Sequence, residues 1–212
     1  LNSVGRHREA STALLQALTL YPDAPVVQNN YMATVQKYIR SRRAAGDLDH
    51  AVKIARFGYE QAAAIFRQGG NPANLLFHLQ LEIGLLLFAQ QDFAAAIEYI
   101  VPGLETGEDI YVTNYLAASG NLARQFMEAG KNEEAFIAVA AAVKMVGEGV
   151  AAKHGFHKSY WPAAISYSMT LRQGGKAADA LQIATSFESS TITSRESPYL
   201  YRSYWQERVS IL

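Results

Sequence analysis

The chain contains no cysteine, which removes disulfides and thiolate metal sites but leaves the compartment open. It carries no excess of either charge, with 19 Lys plus Arg against 19 Asp plus Glu. That balance calls for neither nucleic acid nor an anionic membrane surface. No window approaches the roughly 18 uninterrupted apolar residues of a membrane span. The longest candidate, Leu75 to Ala89, is broken by His78 and Glu82. The start, LNSVGRHREA, has no secretory signal and no initiator Met. No β-alternation of useful length occurs. There is no phosphate loop, dinucleotide fingerprint, zinc motif or nucleophile elbow. The expectation is a cytoplasmic segment with no catalysis, no cofactor, no metal, no nucleic acid and no membrane.

What is present is a pattern. The 212 residues could form one sizeable core or a row of small stacked units, and half of them are hydrophobic. A glycine with an alanine five residues later occurs at Gly5/Ala10, Gly46/Ala51, Gly130/Ala135 and Gly175/Ala180. A fifth copy has Gln91 in the glycine place and Ala96 in the alanine place. Consecutive copies lie 41, 45, 39 and 45 residues apart. Before the turn the units place large, small and large residues at helical spacing. These are Ile83, Gly84 and Leu87, then Leu122, Ala123 and Phe126, then Tyr167, Ser168 and Leu171. After the turn, Ala135, Val139 and Ala142 repeat the helical step, as do Ala51, Ala55 and Gly58. Small residues let two helices approach, large ones fill the groove beside them, and the glycine accepts a left-handed backbone at little cost. Each unit is therefore a helix, a tight turn and an antiparallel helix.

These residues, and GRHREASTALLQALTLYP with Ala10, Leu14, Ala17 and Pro22, resemble the tetratricopeptide repeat family. The period of about 39–45 exceeds the family's roughly 34. The long period is similar to variants in kinesin light chains, bacterial peptide-sensing regulators and the sensor region of MalT-type activators. Arg42 stands where a large apolar residue belongs, and Gln91 replaces a turn glycine. The resemblance implies an all-α fold, a right-handed solenoid of antiparallel helical hairpins filling residues 1–212 as a single domain. About ten helices are predicted, over 6–20, 25–44, 48–68, 72–90, 92–105, 109–129, 132–148, 156–173, 176–188 and 198–210, with links at 21–25, 68–72, 102–109, 147–158 and 189–198.

The ends pose their own question. Only four residues precede Gly5, so the first hairpin is incomplete and a stripe of Leu14, Leu15 and Leu18 is left for other surfaces to cover. An N-terminal extension of the protein, or association with another chain through this helix, is expected. At the other end Tyr201, Tyr204 and Trp205 share one face of a helix read as a terminal cap, with Tyr199 beside them.

Candidate functional residues follow from the register that the resemblance implies. The first helix of each hairpin lines a concave groove. Gln36, Arg40 and Arg43 face it from one unit, and His78, Leu81, Leu85 and Phe88 from the next. Arg124 and Met127, with Glu128 at the edge, and then Met169 and Arg172, follow. Arginine forks bind carboxylates and Leu, Phe and Met supply adaptable apolar contact, so a protein or peptide partner is expected. A sensor segment of a larger transcriptional regulator with a small-molecule or peptide effector is the second reading, and an accessory domain of a larger enzyme the third. His154 and His157 lack further ligands nearby in sequence and read as solvated histidines.

Overall fold

The computed structural model describes residues 6–68, 75–185 and 206. Among them all regular structure is helical. The helices are α1 (His7–Leu20), α2 (Pro25–Ala44), α3 (Leu48–Arg67), α4 (Leu75–Ala89), α5 (Phe93–Ile100), α6 (Asp109–Glu128), α7 (Asn132–Val146), α8 (Glu148–Lys153), α9 (His157–Gln173) and α10 (Ala177–Thr185). The chain forms two compact units, Leu1–Tyr111 and Val112–Leu212, with the boundary inside α6.

The hairpins are α2/α3, α4/α5, α6/α7 and α9/α10, and one turn closes all four. The last carbonyls of a helix have no partner within it. Here the second residue past the helix turns left-handed and the amide of the residue after it reaches back. Asp47 N donates to Arg42 O at 2.9 Å, Asp92 N to Leu87 O at 3.0 Å, Lys131 N to Phe126 O at 2.8 Å and Lys176 N to Leu171 O at 2.9 Å. The residue just before each donor makes the shorter-range bond, as Gly130 N does to Met127 O at 3.0 Å. Gly46, Gly130 and Gly175 adopt φ between +72° and +78°. Gln91 adopts φ +64°, the one left-handed non-glycine among the described residues. Asp47 and Asp92 also cap the next helix, their carboxylates accepting from the amides of His50 and Ala95 at 3.2 Å each.

The alanine five residues on then meets the preceding helix. Ala51, Ala96, Ala135 and Ala180 are all fully buried. The small position of the first helix is tighter still: a β-carbon on Gly84 would lie 2.6 Å from Ile100 Cγ1 and 3.2 Å from Ala96 O. In the first unit α1 packs on α2, α2 on α3, α3 on α4 and α4 on α5; in the second, α7 packs on α9 and α9 on α10.

Three expectations change, and one lies outside the described residues. The helix predicted over 92–105 is α-helical only to Ile100, because Pro102 cannot donate, and a 3-10 segment, Val101–Thr106, continues it. The link 147–158 contains the short helix α8, closed at Gly155 (φ +67°) by the same turn, with Phe156 N on Ala151 O at 3.0 Å. The apolar stripe of α1 is covered in part by the chain itself: Leu18 is fully buried, Leu14 and Leu15 half-buried. The helix expected over 198–210, with Tyr199, Tyr201, Tyr204 and Trp205, lies outside the described residues, as does Gly5.

Two substitutions test the turn and the close approach. Gln91→Gly removes the left-handed penalty and should stabilise the protein by about 1 kcal/mol. Gly84→Ala should destabilise it by about 1–3 kcal/mol, since Ala96 O is backbone and cannot swing aside. Urea titration followed by circular dichroism measures both.

Candidate functional site

The expected groove residues divide between the two units. In the first, Gln36 Nε2 donates to Glu82 Oε1 at 2.7 Å and ties α2 to α4. One and two turns further along α2, Arg40 and Arg43 are exposed. Neither makes an ion pair with a described acid. One and two turns further along α4, Leu85 and Phe88 are half-buried, and Phe88 stands edge-on to Phe93 with centroids 5.0 Å apart. His78 is half-buried, its Nδ1 3.2 Å from the Tyr111 hydroxyl. Leu81 is different. It is only 5% exposed and belongs to the core. α4 is apolar on every side, so its inward face cannot be read from periodicity.

In the second unit Arg124 is exposed, donates to Asn121 Oδ1 and lies 3.9 Å from Glu128. Met127 is half-buried against Ser166, whose hydroxyl is 3.9 Å from its sulfur. Arg172 is half-buried at the end of α9, and Met169 is exposed. Of the two histidines read as solvated, His154 Nδ1 sits 3.4 Å from the Thr113 hydroxyl. His157, the first residue of α9, is buried. No group of three or more acidic or histidine side chains able to hold a metal occurs among the described residues. None of the described helices is long and apolar enough to cross a membrane.

A second feature was not expected. Between α1 and α3, with α2 as its floor, runs an open cleft of about 1060 Å³. Arg42 lines it. In the equivalent turn position the other hairpins carry Leu87, Phe126 and Leu171. Arg42 is half-buried, its guanidinium carbon 5.5 Å from the centre of the Tyr38 ring. Its Nε is buried with no hydrogen-bond partner. Such an orphaned donor costs about 1–3 kcal/mol. Tyr38 is flanked by His7 and His50, each with ring centres 6.4 Å away. The signal in the sequence was Arg42 itself, a cation in a register position reserved for an apolar side chain.

Tyr31 forms part of the floor and donates its hydroxyl to Gly58 O at 3.2 Å. Burial pushes its pKa from 10.0 up to about 12. Tyr111 is likewise raised to about 12, first by burial and then by the charge of Glu108. A phenol whose folded pKa is raised favours folding fully below its unfolded value and loses that contribution as pH climbs through the folded one. Stability should therefore fall between about pH 10 and 12. Tyr31→Phe should cost about 1 kcal/mol at neutral pH by losing the hydrogen bond, and should flatten the alkaline loss. Melting temperatures across that range, for wild type and variant, check this.

No family model matches the sequence, and no curated protein matches it. Two solved structures are similar. One is BtubC (BKLC) from P. vanneervenii, 13% identical, with 98% of this chain and 87% of that one covered and a TM-score of 0.42. The other is a variant of a Podosopora anserina putative kinesin light chain with nearly identical TPR-like repeats. It is 18% identical over 92% of this chain and 91% of its own, with a TM-score of 0.39.

Proposed function

We infer that this helical-repeat chain is a non-catalytic scaffold that holds a peptide on the face formed in its first unit by α2 and α4, the first helices of two hairpins. The observation that carries the reading is the pair Arg40 and Arg43. Both are exposed at the end of α2, neither has an acidic partner among the described residues, and they follow Gln36 along α2 as the half-buried Leu85 and Phe88 follow its partner Glu82 along α4. An extended or helical peptide with apolar side chains and a carboxylate complements that face. A charge-assisted hydrogen bond shielded by the bound peptide contributes about 1.5–3 kcal/mol, and an open one far less. His78 and Gln36 offer polar contacts on the same two helices. Arg124, Met127 and Arg172 would extend the same use to the second unit. Leu81 drops out of the site as core.

The sensor reading has separate support in the cleft between α1 and α3, which suits a small ligand.

Peptide-display selection tests the first reading. Wild-type protein should enrich peptides that combine a carboxylate with apolar side chains. An Arg40→Ala/Arg43→Ala double variant should bind them about tenfold or more weakly. Equal affinity for the same peptides in both proteins would remove these arginines from the site.

A further inference from the structure

We propose that the cleft between α1 and α3 is a binding site for a small organic anion with a flat, aromatic body. It is distinct from the peptide-binding face and does not depend on it. Three observations combine.

The first is charge. Arg6 and Arg8 at the start of α1, Arg42 on the floor and Lys53 on α3 all line the cleft. None of these four cations forms an ion pair with a described residue. The carboxylates nearby are otherwise engaged. Asp47 caps α3 and lies 3.4 Å from His50 Nδ1. Asp49 accepts a 2.6 Å hydrogen bond from Gln90 Nε2. Glu9 sits in the first turn of α1, where the helix dipole already favours an anion. Four cations therefore line the cleft against three carboxylates, Glu9, Asp47 and Asp49, and an incoming anion would balance the excess.

The second is shape. About 1060 Å³ lies just above the range of small-molecule sites, roughly 300–1,000 Å³, so the cleft is roomy enough for one. One of the residues lining the cleft departs from the pattern of the repeat. In the α4/α5 and α9/α10 hairpins the position of Arg42 is a buried leucine, Leu87 or Leu171. A cation there fills the core less well and keeps a buried donor unmatched. A purely structural protein gains nothing from that exchange.

The third is the wall. His7, Tyr38 and His50 form a row of flat rings from three successive helices. Phe57, also lining the cleft, is 58% exposed. Flat rings beside unpaired cations suit an aromatic carboxylate or an aryl phosphate. The shared chemistry is an anionic head on a planar body.

The chain contains five histidines, and only His7 and His50 line this cleft. Their imidazole proton signals are therefore built-in reporters. Wild-type protein is titrated with phenyl phosphate, benzoate and inorganic phosphate, followed by proton NMR. Phenyl phosphate and benzoate should shift the His7 and His50 signals saturably and leave those of His78, His154 and His157 in place. Whichever of the two aromatic anions binds tighter assigns the head group. Inorganic phosphate, which has no ring, should bind about tenfold more weakly. Arg42→Leu should weaken phenyl phosphate about tenfold while raising the melting temperature, since leucine restores the pattern of the other turns. Lys53→Gln, on the exposed rim, provides a second variant whose folding is not at stake and should also weaken binding. No saturable shift at His7 and His50, or undiminished affinity in both variants, would overturn the site. Equal binding of inorganic and phenyl phosphate would overturn the flat body.

Discussion

Each hairpin depends on a pair of hydrogen bonds made just past the end of its first helix. The helix leaves carbonyls without partners. One left-handed residue lets the chain answer two of them with its own next two amides. The chain then leaves in the opposite direction, and the register of the second helix is set. An alanine always arrives at the same height on the first helix, where all four described copies are fully buried. With that contact fixed, the side chains of the first helix divide into those facing the partner helix and those left for a ligand. At Asp47 and Asp92 the same residue ends one helix through its amide and starts the next through its carboxylate. That double use explains how the link stays at three residues.

The glycine–alanine register made most of the fold legible. Helix bounds across α1 to α7 follow from it within a few residues, and so does the burial of Ala51, Ala96, Ala135 and Ala180. Gln91 is instructive, because it keeps the turn's geometry without the residue that adopts it most readily. What was not legible has physical reasons. α8 is short and enclosed by Gly147, Gly149 and Gly155, so its composition reads as a link. Leu81 was placed in the groove because α4 has only His78, Gln80, Glu82 and Gly84 to interrupt its apolar surface. A helix with no polar face carries no mark of which side turns inward. His157 looked solvated because it falls in a stretch whose composition reads as a link.

The same register sets Arg42 apart. Leu87 and Leu171 are buried in the equivalent position, whereas Arg42 is half-buried with its Nε unpartnered. Its stem covers part of the apolar surface while its head carries a charge that packing alone does not balance. The face proposed for a peptide and the cleft draw on neighbouring residues of one helix end. Arg40 and Arg43 point their charge outward, and Arg42, between them in sequence, lines the cleft.

The central claim is that the turn bonds, rather than helix packing alone, set the register. Hydrogen exchange at the amides of Asp47, Asp92, Lys131 and Lys176 tests it most directly. If those four bonds hold the hairpins, these amides exchange as slowly as the neighbouring helix interiors, although they sit beyond the helix ends. Exchange at the rate of an unstructured chain at all four, with the helices themselves still protected, would contradict it.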